Sequence, residues 1–195
     1  MNRAGQSESG TGSRARTFSF PEAIKAADEL LSQLERLELT DAEAEQQLAS
    51  MVASAEGARG FFVTYLTGRF SLSDNPPALL VRVLRQAPDL VCDLLAKNLV
   101  MSSTMALTHE RNQDLESAQR SLTVCRRAQT LVGALARTEM DSRLAEMWRS
   151  VTEGRGEYTD FLKRWQYDEE QLTRARQALE LLIWPDSEGR CHGQG

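Results

Sequence analysis

The stretch KNLVMSSTMALTHERN, residues 97–112, directly follows the apolar run LVCDLL at 90–95 and determines the fold that we predict. On a helix with about 100° per residue, its polar side chains do not form a separate hydrated face. The apolar run fixes the buried side, and one stripe of the following stretch continues that side. This stripe consists of Asn98, Ser102, Met105, His109 and Asn112. The same phase predicts that Lys97, Thr104 and Arg111 point to water.

The inward polar stripe needs hydrogen-bond partners, because an unsatisfied buried polar group costs about 1–3 kcal/mol. In one interpretation, neighbouring helices or trapped water satisfy these groups, as happens for most buried polar groups in native proteins. In a second interpretation, the stripe lines a pocket for a small ligand, with His109 as the contact. In a third, the stripe becomes buried only in a homodimer or in a complex with a partner.

The chain as a whole predicts an all-α fold, a single-domain helical bundle of about eight helices over residues 19–185. The capping boxes SFPE at 19–22 and TDAE at 40–43 mark two helix starts. Asp114 and Asp168 each precede a later apolar-periodic segment and are expected to cap it. The connections between these segments are short, which is typical of antiparallel neighbours.

The segment GFFVTYLTG at 60–68 is ambiguous, because its aromatic and β-branched residues would also suit a strand. No second strand is available to pair with it, so we interpret it as a buried helix. Residues 1–18 are polar and aperiodic and predict a disordered tail, and residues 186–195 predict a flexible C-terminal tail. Apolar side chains expected to face the core include Leu37, Leu115, Leu122, Trp148, Trp165 and Trp184.

The composition indicates a cytoplasmic protein. The polar N-terminus lacks the apolar middle of a signal peptide. No apolar run approaches the roughly 18–20 residues that span a bilayer, so we expect no membrane contact. The three cysteines, Cys92, Cys125 and Cys191, are far apart and form no CxxC motif, which argues against a disulfide framework.

The motifs that usually identify an enzyme are missing from the sequence. Neither glycine-rich phosphate-binding pattern, GxxxxGK[ST] or GxGxxG, is present. HERNQ at 109–113 begins like the metalloprotease motif HExxH, but Gln113 stands where the second histidine would be. His109 is the only histidine in the predicted helical region, because His192 lies in the tail. We therefore predict no catalytic residues, no metal and no cofactor, and we do not expect an enzyme.

Charge is distributed unevenly along the chain, whose net charge is −5. Residues 19–57 carry nine acids and two bases, whereas residues 58–137 carry ten bases and six acids. Arg120, Arg126 and Arg127 give one predicted helix a basic edge. This edge either pairs with the acidic first hairpin or is a basic docking patch for an acidic partner.

These observations favour a non-enzymatic helical protein that acts through protein–protein contacts, as an adaptor, regulator or assembly factor, and a homodimer is compatible with them. An alternative is a helical bundle that binds a small molecule in a pocket near His109. A further alternative is a helix-turn-helix regulator that uses residues 40–66. Duplex binding draws much of its affinity from Lys and Arg on phosphates, and this region is acidic, so we do not expect a nucleic-acid partner.

Overall fold

All secondary structure in the described residues is helical, which confirms the predicted fold class. The computed structural model describes residues 17–135 and 138–183, so Trp184, the 186–195 segment and all but two residues of the predicted 1–18 tail lie outside it. Phe18, which the predicted tail included, is buried in the core. The described residues contain nine α-helices, against the predicted eight or so, and a 3-10 turn at Ser71–Ser73. The helices are α1 Phe20–Glu35, α2 Asp41–Val52, α3 Ala55–Thr67, α4 Ala78–Leu84, α5 Pro88–Arg111, α6 Leu115–Leu135, α7 Thr138–Glu153, α8 Thr159–Trp165 and α9 Glu169–Ile183.

Several helices start where the sequence signals place them. The Glu43 carboxylate accepts a hydrogen bond from the Thr40 backbone N–H at 2.9 Å, and the Thr40 hydroxyl accepts one from the Glu43 N–H at 3.4 Å. A capping box of the same kind, beginning at Ser19, starts α1. At the start of α9, the Asp168 carboxylate accepts a bond from the Gln171 N–H at 2.9 Å. These bonds satisfy backbone donors that have no partner within the helix.

The ambiguous segment at 60–68 is a helix, as predicted, and forms most of α3. Phe61 and Tyr65 are fully buried, and their rings stack with centroids 5.6 Å apart. At Gly60, an added Cβ would lie 2.4 Å from the Cβ of Ala23 on α1. Only glycine therefore permits this close packing of α1 on α3.

Helix α5 is the central element of the fold. It packs against α6, α7 and α9 and also contacts α3. The N-terminal helices form a group beside it, in which α1 packs mainly on α3, while α2 packs on α3 and α4. A helix with neighbours around most of its circumference is apolar on more than one face.

The central helix also meets, by length and composition only, the criteria for crossing a membrane. The segment is Asp89–Arg111, and the rest of the fold buries 61% of an apolar 18-residue stretch within it. The sequence prediction that no apolar run approaches this length is thus too strong. The core helix of a bundle satisfies the same criteria, so this finding is weak evidence for a membrane span.

Four apolar side chains that were expected in the core are exposed, namely Leu37, Leu115, Leu122 and Trp165. Leu37 lies beyond the end of α1 with a φ of 57°, and Leu115 is the first residue of α6. Trp165 is the last residue of α8, and its ring stacks on Tyr167 with centroids 6.4 Å apart. These three residues lie at or beyond helix ends, where side chains leave the helical phase or the packed surface, so periodicity places them poorly. Leu122 lies in the middle of α6 and is 37% exposed.

Candidate functional site

The inward polar groups of α5 are satisfied by the helix itself. The hydroxyl of Ser102 donates to the carbonyl of Asn98 at 2.7 Å, and that of Ser103 donates to Val100 at 2.9 Å. The Asn98 amide donates to the Leu94 carbonyl at 2.8 Å. Such bonds to carbonyls three or four residues earlier let hydroxyl and amide groups be buried without a partner from another helix. These bonds favour the packing interpretation of the stripe.

The predicted orientation of the stripe is only partly right. Ser102 is buried, whereas Asn98 and Met105 are half-buried and Asn112 is exposed. Thr104, which was expected to face water, is fully buried and donates to the Val100 carbonyl at 2.9 Å. The reason is that neighbouring helices cover several sides of α5, so the side opposite the apolar run is also packed.

His109 lies near the C-terminal end of α5 and is partly exposed. Its Nδ1 is 3.9 Å from a carboxylate oxygen of Asp114, which also caps α6. His109 does not line the largest groove beside α5, described next. Within residues 17–135 and 138–183, no group of His, Cys, Asp or Glu has the arrangement of a metal site.

A groove of about 820 Å³ lies between α5, α6 and the segment that follows α3. Its α5 side consists of Asn98, Met101, Ser102 and Met105. Residues 66–71 form the opposite wall. The stripe predicted to line a pocket does so through three of its five members, and neither His109 nor Asn112 is among them.

A second groove, of about 620 Å³, continues the first along α5 towards its N-terminus, because Asn98 and Met101 line both. Its other walls come from α3, with Arg59 and Val63, and from α8, with Phe161, Arg164 and Trp165. We call the two parts together the α5 groove. From Leu90 to Met105 it follows the helix axis for about 22 Å, at 1.5 Å per residue.

An apolar stripe that no other part of the described chain covers completely runs along the floor of the α5 groove, beside the polar side chains of Asn98 and Ser102. Leu90, Leu94, Met101 and Met105 on α5 are all half-buried. Val63 on α3 and Trp165 on α8 are 40% and 44% exposed at the groove edges. A contiguous open surface of aliphatic, methionine and tryptophan side chains is typical of a binding surface.

A buried guanidinium fixes the wall that follows α3. Arg127, which is only 7% exposed, donates from Nε and Nη2 to the two carboxylate oxygens of Asp74 at 3.0 and 3.1 Å. Its Nη1 donates to the carbonyls of Leu66 and Gly68 at 3.0 and 2.6 Å. The hydrogen bonds from Arg127 to the Asp74 carboxylate hold the pKa of Asp74 below its usual range. We call this arrangement the Arg127 clamp.

The predicted basic docking patch is therefore wrong at one of its three residues. Arg127 is committed to the clamp and is not available to a partner. Arg126 is exposed and reaches the same Asp74 carboxylate at 3.0 Å, and exposed Arg120 pairs with Glu116. The burial of Arg127 could not be read from sequence, because it depends on the path of the chain between α3 and α4.

The α5 groove is cationic although the chain is acidic. Six cationic side chains line it, against three carboxylates, whereas the net charge of the chain is −5. The cations are Arg59, Arg69, Lys97, Arg120, Arg127 and Arg164. Within residues 17–135 and 138–183, exposed Arg69 and Arg164 have no carboxylate partner, and each lines a different part of the groove.

The buried thiols are poor nucleophiles. Burial raises the pKa of Cys92 to about 11, so its thiolate is scarce near neutral pH. Burial also raises the pKa of Cys125, next to Ser102 on α5. Cys92 and Cys125 are therefore packed in the core as small apolar side chains.

Sequence analysis identified only one wall of this groove. The α5 stripe was found from helical phase, but the opposing walls from α3, the 66–74 segment and α8 were not. The exposed Val63 and Trp165 follow helical spacing with core residues, so no sequence signal separates them from the core. Arg69 next to Phe70, immediately after a glycine, was the one local hint of a surface bend.

Comparison with known proteins gives one match. No curated protein and no solved structure is significantly similar to the chain. Residues 19–182, which include all nine helices of the described residues except the last residue of α9, match one protein family. The chain belongs to this family, which is described as "Uncharacterised conserved protein UCP020893".

Proposed function

We propose that this protein binds a helix of a partner protein in the α5 groove and acts by that contact, as an adaptor, regulator or assembly factor. The single observation that carries the proposal is the half-exposed apolar stripe of α5, from Leu90 to Met105, in the open groove. An amphipathic helix presents anchors at positions i, i+3, i+4 and i+7, which match an elongated apolar groove. A length of about 22 Å accommodates roughly four helical turns.

The composition of the groove supports a protein ligand. Tryptophan and arginine are enriched among residues that dominate binding energy, and Trp165 and Arg164 stand together at the edge. Met101 and Met105 can adapt to different apolar anchors, because the methionine side chain is unbranched and flexible. A long groove that is open to solvent suits an extended surface better than a small molecule, which is usually enclosed.

The alternatives fit the geometry less well. A ligand pocket near His109 would need that residue in the cavity wall, and His109 does not line the groove. In the helix-turn-helix hypothesis, α3 would be the recognition helix. Most of α3 is instead buried, including Gly60, Phe61 and Tyr65, so it cannot enter a DNA groove without unfolding the core. The cytoplasmic location stays a prediction.

The proposal is tested by photo-crosslinking in the cells that produce the protein. A benzophenone amino acid replaces Met101 in the groove, and in a matched control it replaces Leu181, an exposed apolar residue on α9. We expect a defined protein adduct at Met101 and none of the same mass at Leu181. The captured protein is then purified and titrated against wild type, Met101→Asp and Leu181→Asp.

The expected result is a loss of affinity of at least about tenfold in Met101→Asp, as for a central anchor, with no change in Leu181→Asp. Thermal melting checks that both variants stay folded. Identical adducts at both positions, or unchanged affinity in Met101→Asp, would contradict the proposal. An adduct between two copies of the chain would show instead that the groove is an interface of a homodimer.

A further inference from the structure

We infer that the partner helix is acidic on the flanks that border its apolar face. This inference rests on the proposed function and specifies the chemistry of the ligand. It follows from the charge of the α5 groove, which is opposite to that of the protein as a whole. Complementary potentials select the partner and speed its association.

The two unpaired arginines carry the argument. Arg69 lines the part of the groove between α5 and α6, and Arg164 lines the part between α3 and α8. Both are exposed, and neither has a carboxylate partner in the described ranges 17–135 and 138–183. Most other exposed arginines in these ranges already pair with an acid, for example Arg120 with Glu116 and Arg155 with Glu153. A carboxylate on a bound helix would complete the pairing that the chain leaves open.

Two further cations at the groove rim, Lys97 and Arg59, are held in place by their neighbours. Lys97 pairs with Asp93 at 2.7 Å and lies over the Phe161 ring at 6.0 Å, so it is held at the groove edge. Arg59 pairs with Glu56 at 2.9 Å and lies over the Phe20 ring, 5.1 Å from its centroid. Cations held against aromatic faces at the rim leave the floor apolar while they present positive charge to a ligand.

The apolar floor distinguishes a peptide from a nucleic acid. A nucleic acid would place phosphates and sugars on the groove, and much of its binding surface would be polar. Leu90, Leu94, Met101 and Met105 offer no hydrogen bond to such groups. An amphipathic helix buries these side chains with its apolar face and directs its acids to both rims.

Three synthetic helical peptides of about 16 residues, long enough for the groove, provide the test. They share one apolar face, and their flanks carry only Glu, only Gln or only Lys. Fluorescence anisotropy measures the dissociation constant of each peptide for the full chain. We expect the Glu peptide to bind at least about tenfold more tightly than the Gln peptide, and the Lys peptide most weakly. Raising NaCl from about 50 to about 500 mM should weaken the Glu peptide most.

Charge reversal separates recognition from damage. Arg69→Glu with Arg164→Glu should weaken the Glu peptide about tenfold and tighten the Lys peptide, which a merely unfolded variant could not do. Lys25→Glu on α1 is the matched control, because Lys25 is exposed and lies outside the groove. It should change neither affinity.

Each outcome is decisive. Equal binding of all three peptides would overturn the acidic flank and leave the helix-binding groove intact. No binding of any peptide would overturn both proposals. A single-stranded DNA of similar length that binds more tightly than the Glu peptide would also overturn the inference, and the groove would then be a nucleic-acid site.

Discussion

The two sides of α5 differ in how their apolar residues are covered. On the sealed side, Val91, Leu95 and Leu99 are completely buried against neighbouring helices. On the open side, Leu94 and Met101 belong to the same stretch of α5 but stay half-exposed in the α5 groove. Burial is the main favourable term in folding, so an apolar residue that the fold leaves open contributes less to stability. The sealed side therefore contributes most to stability, whereas the open side is the surface at which we propose that a partner binds.

The strongest test of this comparison replaces two adjacent leucines. Leu95→Ala should lower the free energy of unfolding by about 3 kcal/mol, because it leaves a cavity in a fully buried site. Leu94→Ala should lower it by no more than about 1 kcal/mol, because solvent already reaches this side chain. Urea unfolding measures both. Equal losses would mean that the open side is as much a part of the core as the sealed side.

A second pair of adjacent residues tests the Arg127 clamp. Arg127→Met should destabilise by about 2 kcal/mol, since Asp74 and two backbone carbonyls lose a buried partner. Arg126→Met should change stability by less than about 0.5 kcal/mol, because its ion pair with Asp74 is exposed. Thermal and urea unfolding provide the readout. A small effect at Arg127 would show that the groove wall is held by other contacts.

A smaller effect is expected at the C-terminal end of α5, where exposed Arg111 pairs with Asp168 and Glu170 at the start of α9. Arg111 lowers the pKa of Asp168 to about 2. A depressed folded pKa gives stability that is present above the unfolded pKa and is lost as pH falls through the folded value. The stability difference between wild type and Arg111→Gln should therefore shrink between pH about 4 and about 2.

Urea unfolding at several acidic pH values measures this difference, and added salt should reduce it because the pair is exposed. Lys25→Gln is the control, since Lys25 is exposed and lies on α1, whereas the two carboxylates lie at the start of α9. A difference that stays constant across this pH range would show that Asp168 does not titrate against Arg111.

The smallest effect is expected at Ser103 on the sealed side. Its hydroxyl donates to the Val100 carbonyl of the same helix, and that carbonyl also accepts from the Thr104 hydroxyl. Ser103→Ala removes a bond that no other helix shares, so the free energy of unfolding should change by less than about 0.5 kcal/mol. A loss of more than about 1 kcal/mol in calorimetry would indicate a hydrogen-bond partner outside α5 and would favour a buried polar site on this helix.

Local signals in the sequence were sufficient for the fold class. The capping residues at Ser19, Thr40, Asp114 and Asp168 each lie within one residue of a helix start in the structure. Helix starts depend on contacts between residues three apart, so they can be read without knowing the tertiary structure. The segment at 60–68 could be assigned to a helix because the sequence offers no second strand with which its backbone could form hydrogen bonds.

Side-chain direction was harder to predict where several helices meet. Helical phase assigned Thr104 to solvent, yet it is fully buried, because the phase argument assumes one buried face and α5 has more than one. Arg127 was grouped with Arg126 because the two are adjacent, although only Arg127 reaches the carbonyls of the segment after α3. Such contacts join residues about sixty positions apart, and periodicity carries no information about them.

The Arg127 clamp has a consequence for the affinity of any ligand that binds beside it. Beyond the end of α3 at Thr67, the segment up to Asp74 contains only the short 3-10 turn at Ser71–Ser73, and a loop of this kind would usually lose conformational entropy when a ligand orders it. Here Arg127 holds the segment at Gly68 and Asp74, and further hydrogen bonds from Ser71 to Glu35 and from Tyr65 to the Leu72 carbonyl hold its middle. A partner helix that binds in the α5 groove, as we propose, would meet a wall that is already ordered, so less of its binding free energy would be lost to ordering that wall.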